Sequence, residues 1–217
     1  MTKVGVFDSG IGGKSVFEAI KRELPELEAI FLNDSKNVPY GSKTSEELMG
    51  LVIPKLKELE QSGCSVIVMA CNTVTTTIIS QVREIIKIPI VAIEPMVKPA
   101  AELTKTKVIA VCATPSTLDS PRYKQLLEQY AKHITVLEPD CSDWAYMIEK
   151  NTADYASIEE RITEVCRQNA DVIVLGCTHY HWIEEEIKEL ADKFHARVIQ
   201  PEAALVVRLK RVLEQQP

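Results

Sequence analysis

The chain has 217 residues, 46% of them hydrophobic and 26% charged, with a formal net charge of −6. No apolar run approaches the roughly 18 residues of a membrane helix, and no basic stripe is present to neutralise a phosphate backbone, so neither a membrane span nor nucleic-acid binding is expected. Six cysteines without a C-x-x-C pair, in a chain large enough to bury its own core, predict reduced thiols instead of a disulfide frame.

The first 13 residues contain Asp8 and four glycines but no long apolar run. No secretory signal is expected, and a cytoplasmic location with it. The first Val-rich run, 3–7, reads as a buried strand. It leads into Asp8-Ser9-Gly10-Ile11-Gly12-Gly13, whose glycines free the backbone to approach an anion. Gly13-Lys14-Ser15 imitates the end of a phosphate-binding loop, but that motif needs glycine where Asp8 stands, and a carboxylate there would repel phosphates. Asp8 suits an ammonium group, a nearby thiol or the cap of the first helix. A second strand, 29–32, precedes a turn at Pro39-Tyr40-Gly41-Ser42. Glu46, Leu48, Leu51, Val52, Leu56 and Leu59 follow at helical spacing.

A third strand, 66–70, ends at Cys71, with Asn72, Thr73, Thr75 and Thr76 after it. Strands over 90–93, 107–111 and 134–137 follow, and a seventh, 171–175, ends at Gly176-Cys177-Thr178-His179. Ile183, Ile187, Leu190 and Phe194 have helical spacing, 197–199 is the last strand, and Ala203, Leu205, Val206, Leu209 and Val212 outline a closing helix. Arg208, Lys210 and Arg211 near its end favour the helix dipole. Strand and helix alternate, which means parallel sheets covered on both faces.

An internal repeat organises these elements. Residues 66–95 align on 172–201 at a constant offset of 106: Val66, Ile67, Val68 and Cys71 recur as Val172, Ile173, Val174 and Cys177, and Ile93 and Pro95 as Ile199 and Pro201. A fainter echo joins Val4 to Val108. The expected fold is α/β: two similar, pseudo-symmetric α/β domains, each a mostly parallel sheet flanked by helices, with the active site between them. The first half is residues 1–95 with 202–217 and the second 96–201, joined at a hinge near Glu94 and Pro95.

Each repeat places a cysteine where a buried strand turns into a helix, and ligands of open α/β sheets bind outside those carboxyl ends. A helix N-terminus also favours thiolate. If the halves face each other, the two sulfurs approach one ligand from opposite sides. A base on one face of a carbon and an acid on the other, exchanging states each turnover, is what stereochemical inversion requires. The small polar residues after each cysteine can hold a carboxylate or simply cap helices, and His179 can tune Cys177. Cys64, Cys112 and Cys166 read as small buried hydrophobes.

Taken together, Asp8 to Gly13, Val38-Pro39-Tyr40-Gly41, Ala70-Cys71-Asn72-Thr73 and Gly176-Cys177-Thr178-His179-Tyr180 resemble the glutamate racemase family, within the wider aspartate/glutamate racemase superfamily. The likeness runs over nearly the whole chain. It extends to Ala113-Thr114 with Thr117, Ser120 and Tyr123, similar to a substrate-contacting segment, and to Cys141 followed by Glu149. The resemblance implies catalysis without pyridoxal phosphate, metal or any other cofactor. It assigns Cys71 the proton of D-glutamate and Cys177 that of L-glutamate, Asp8 assisting the first and Glu149 with His179 the second. Asp8, Ser9, Pro39, Tyr40, Gly41, Asn72, Thr73, Thr114, Thr117, Thr178 and His179 would hold the substrate, and D-glutamate for peptidoglycan would be the product. His181 stands where the family has proline. A homodimer is compatible with the sequence, which assigns it no face. A racemase of aspartate or another small acid, a non-catalytic amino-acid-binding relative, and a metal site of Cys71, Cys177 and His179 are the alternatives.

Overall fold

The computed structural model describes residues 2–215; of the residues assigned by sequence to the first half, 1, 216 and 217 lie outside them. The chain divides into two compact units, one running to Glu94 and resuming at Pro201, the other Pro95–Gln200.

The first unit alternates β1 (Lys3–Asp8), α1 (Lys14–Glu23), β2 (Glu28–Asn33), α2 (Ser45–Gln61), β3 (Val66–Met69), α3 (Asn72–Ile85) and β4 (Ile90–Ala92). Its sheet has the order β2-β1-β3-β4, and every pairing is parallel. The second unit contains α4 (Val97–Leu103), β5 (Val108–Cys112), α5 (Pro115–Asp119), α6 (Pro121–Tyr130), β6 (Thr135–Leu137), α7 (Trp144–Glu149), α8 (Tyr155–Arg167), β7 (Val172–Leu175), α9 (Glu184–Asp192) and β8 (Arg197–Ile199). Its sheet order, β6-β5-β7-β8, is again wholly parallel and repeats the first permutation. All eight strands read from the sequence are present, and the α/β class with two helix-flanked parallel sheets is the one observed. The chain then returns to the first unit as α10 (Glu202–Glu214).

Strand alternation divides each core into two layers. In the first unit Val4, Val6, Val66 and Val68 meet α1 and α10 through Val16, Ile20, Leu205 and Leu209. Phe7, Ile67 and Met69 face α2 and α3 through Leu48, Val52, Leu56, Val74 and Ile78. The second unit does the same, with Ala110, Cys112, Ile173 and Leu175 towards α7, α8 and α9, and Ile109, Val111, Val172 and Val174 towards α4 and α6. Cys71 continues the Ile67, Met69 row and Cys177 the Ile173, Leu175 row. The two thiols therefore leave equivalent faces of equivalent strands.

Local signals explain where helices start. Thr44 accepts from the Glu47 amide while the Glu47 carboxylate accepts from the Thr44 amide at 2.7 Å, a capping box that opens α2. Asp154 caps α8 and Ser120 caps α6 through their side-chain oxygens. The helical spacing over 183–194 is only partly realised. Thr178–Ile183 forms a 3-10 helix, α9 begins at Glu184 and stops at Asp192, and Phe194 is left partly exposed beyond it.

The gapless repeat also needs correction at its far end. Ile67 pairs with Ile90 in the first sheet, whereas Val172, the counterpart of Val66, pairs with Arg197. Paired positions are thus 23 residues apart in one unit (90 less 67) and 25 in the other (197 less 172). A two-residue shift is tolerated because side chains alternate with period two, so each side chain keeps its own layer of the core.

Asp171, just before β7, accepts from the Thr104 hydroxyl at 2.5 Å and from the amides of Lys105 and Thr106 at 2.6 and 3.1 Å. Burial pushes its pKa up, but these hydrogen bonds outweigh it and the net direction is down. A lowered folded pKa contributes stability that is complete above the unfolded carboxylate value, about 3.9, and is lost as pH falls through the folded value. Asp171→Asn should therefore lower the melting temperature at neutral pH and flatten its acid dependence below about pH 4. Leu209→Ala, at a fully buried position of α10, should cost about 2–5 kcal/mol, and Val207→Ala, at a half-exposed one, less than about 0.5 kcal/mol, by urea unfolding.

Candidate active site

In the first unit the chemistry-bearing residues gather at the carboxyl ends of the neighbouring strands β1 and β3. The Ala70 amide donates to the Phe7 carbonyl at 2.8 Å, closing the ladder, and Cys71 follows as the N-cap of α3. Cap positions usually hold Ser, Thr, Asn or Asp. Here the thiol makes no capping bond and lies 3.3 Å from the Ser9 hydroxyl. Cys71 and Ser9 are both buried, as are Asn72 and Thr73.

Asp8 is fully buried, and its carboxylate accepts the Gly13 amide at 2.7 Å and the Gly10 amide at 3.4 Å. The loop amides of Gly10 and Gly13 are thus turned onto a side chain of the loop itself. Gly13 is required by proximity, since a Cβ there would stand 2.4 Å from the Asp8 Cβ.

The turn after β2 begins at a cis Val38–Pro39 peptide and continues as a 3-10 helix, Tyr40–Ser42. Tyr40 is buried and donates to the Asp34 carboxylate at 2.8 Å, while the Asn37 amide donates to both Asp34 oxygens. Burial, the Asp34 bond and the nearby Asp34, Cys71 and Asp8 all push the Tyr40 pKa far above its ordinary value. The phenol stays protonated as a donor beside the thiol and Asp8. Pro39 itself is exposed, and Gly41 is half-buried.

The second unit builds its counterpart at the ends of β5 and β7. The Gly176 amide donates to the Cys112 carbonyl at 2.7 Å, in the position of Ala70, and Cys177 is the N-cap of the 3-10 helix Thr178–Ile183. A Cβ on Gly176 would lie 3.0 Å from the Ala113 Cβ, so the strand ends approach closely. Thr114 caps α5 by position and donates to the Thr117 hydroxyl at 3.0 Å; both are buried.

Cys177 differs from Cys71 in its partners. Its sulfur lies 3.8 Å from Nδ1 of His179, and Nε2 of His179 lies 2.7 Å from Oε2 of Glu149. Both side chains of that pair are about 95% buried, with 4% and 5% exposed. A carboxylate only accepts, so the ring donates from Nε2 and turns Nδ1 to the sulfur.

Nothing in the sequence alone assigns a role to Asp34 or to the Tyr180 hydroxyl, which donates to the Cys141 carbonyl at 2.8 Å. Asp34 had one local signal, an Asp-x-x-Asn turn before Pro39. Among the described residues, no set of three or more His, Cys, Asp or Glu side chains is arranged to hold a metal ion.

The two α/β units, each with a cysteine at the same strand end, have counterparts among known proteins. The chain belongs to the Asp/Glu/Hydantoin racemase family, whose model matches residues 5–209. Its relatives there are glutamate racemases: that of Clostridium acetobutylicum is 34% identical over 216 residues, 97% of this chain and 84% of that protein. That of Ralstonia pickettii is 37% identical over 192 residues, 87% of this chain and 68% of its own length. The crystal structure of Escherichia coli glutamate racemase, in complex with L-glutamate and activator UDP-MurNAc-Ala, superposes with a TM-score of 0.90 at 27% identity, covering 99% of this chain and 83% of that one.

Gly13→Ala should force Asp8 and its loop apart and destabilise the protein by about 1–3 kcal/mol in urea unfolding. Gly50→Ala, where a Cβ meets nothing within 4 Å and the backbone is helical, should not destabilise it.

Proposed function

We propose that this protein interconverts L- and D-glutamate by a two-base mechanism without a cofactor, with Cys71 and Cys177 as the two bases. The repetition carries the reading: the same cysteine, two residues beyond the same central strand, in both units. The names of the relatives support glutamate as the substrate.

In this reading the Cys71 thiolate removes the α-proton of D-glutamate, and the Cys177 thiol delivers a proton to the other face. L-glutamate uses the same groups in exchanged states. Negative charge developing on the α-carboxylate requires donors already in place. Ser9, Tyr40, Gly41, Asn72, Thr73, Thr114, Thr117 and Thr178 supply hydroxyl, amide and backbone groups for the substrate, with Pro39 shaping the turn. Asn72 is informative here: it is 2% exposed, and neither its amide nitrogen nor its oxygen has a hydrogen-bond partner. Buried polar groups are seldom left so, and a bound amino acid would satisfy both ends.

Asp8 assists Cys71. His179 assists Cys177, with Glu149 holding the ring in one tautomer and stabilising the imidazolium that forms when the thiol is ionised. The product, D-glutamate, would serve peptidoglycan synthesis in the cytoplasm. No helix among the described residues is long and apolar enough to cross a membrane.

D- and L-glutamate incubated separately in deuterium oxide should each lose optical rotation while gaining one α-deuterium per inversion. Cys71→Ser and Cys177→Ser should each reduce racemisation by at least roughly 10²-fold. Undiminished racemisation and exchange in both variants would end the proposal. Aspartate should give a lower kcat/KM than glutamate.

A further inference from the structure

The Cys177–His179–Glu149 arrangement joins two pieces of chain that share no strand. Cys177 and His179 follow β7, whereas Glu149 is the last residue of α7, a six-residue helix. A helix that short has little stability of its own, so something must fix its position.

Tyr180 makes that connection. Its amide donates to the Cys177 carbonyl at 3.0 Å, closing the first turn after the catalytic thiol. Its hydroxyl donates to the Cys141 carbonyl at 2.8 Å, and the same carbonyl accepts the Trp144 amide at 3.3 Å where α7 begins. The Trp144 ring packs edge-on against Tyr180 with centroids 5.2 Å apart. Cys141 is buried as well, in the same core as Cys112 at the end of β5. Trp144 and Tyr180 are fully buried. Burial also raises the Tyr180 pKa, which keeps the phenol a donor.

We infer that Tyr180 is a positioning residue for the Cys177 half-reaction, its hydroxyl locking the start of α7 so that Glu149 stays in register with His179. This rests on the two-base reading above. Removing the hydroxyl leaves the Cys141 carbonyl with one partner fewer in a dry core and frees α7 to shift, and misplacement on the ångström scale costs rate heavily.

Tyr180→Phe keeps the ring against Trp144, so the fold should survive. Its kcat should fall about ten-fold with KM within about two-fold of the wild type. Isotope effects then separate positioning from general damage. With transfer at Cys177 slowed, α-deuterated L-glutamate should show a larger effect than in the wild type, and α-deuterated D-glutamate a smaller one. Val165→Ala, a cavity in the same core, should lower stability while leaving the two isotope effects as in the wild type.

A readout independent of turnover is the His179 Nε2 proton shared with Glu149, identified in the NMR spectrum by its loss in Glu149→Ala. It should exchange with solvent faster in Tyr180→Phe. If that proton is unchanged, or if isotope effects from the two enantiomers remain as in the wild type, Tyr180 is not a positioning residue. If the wild type itself fails to racemise glutamate, the functional reading falls, and the ring-proton comparison still decides the role of Tyr180.

Discussion

The arrangement depends on one backbone contact made twice. At the top of each central strand pair a final amide-to-carbonyl bond, Ala70 to Phe7 and Gly176 to Cys112, ends the parallel ladder. The next residue must leave the sheet as the start of a helix, and in both units it is cysteine. Strand alternation then decides which face the thiol takes, in line with Ile67 and Met69 in one unit and Ile173 and Leu175 in the other. Neither thiol owes its placement to a flexible loop, which suits the proton transfers proposed for them.

The surroundings of the two cysteines differ although the central strands that carry them are equivalent. Cys71 meets a hydroxyl, with a buried carboxylate already engaged by loop amides and a neutral phenol nearby. Cys177 meets an imidazole backed by a buried carboxylate. In the proposed reaction the thermodynamic task is symmetric, because enantiomers have equal free energy, yet the two proton transfers are supported by different chemistry. Unequal partners can still yield balanced barriers.

Much of this was legible in the sequence, for physical reasons that can be named. Parallel strands buried on both faces appear as continuous Val and Ile runs, so β3 and β7 stood out, and their likeness exposed the repeat. The cysteines were legible because the same residue type fell at the same step of both copies. Glu149 was different: nothing in its neighbourhood marks it, and only a family likeness drew attention to it. Asp34 and the Tyr180 hydroxyl stayed hidden because their partners, Tyr40 and the Cys141 carbonyl, are brought to them by chain folding, and a backbone carbonyl has no letter of its own. The 3-10 stretch after Cys177 was hidden because Ile183 and Ile187 carry an α-like spacing whichever way the preceding turn winds.

The shifted pairing between β3–β4 and β7–β8 has a consequence for how such halves drift apart. The second crossover separates paired residues by 25 positions where the first uses 23, and both sheets still bury their Val and Ile side chains. An edge strand can slide by one full pleat and trade each inward side chain for its neighbour two places along, at no cost in sidedness. A half-pleat slide would send every side chain of the strand to the opposite layer. Duplicated sheets of this kind therefore have a quantised freedom: crossovers lengthen or shorten while the central strands, and whatever they carry at their tips, stay where they were.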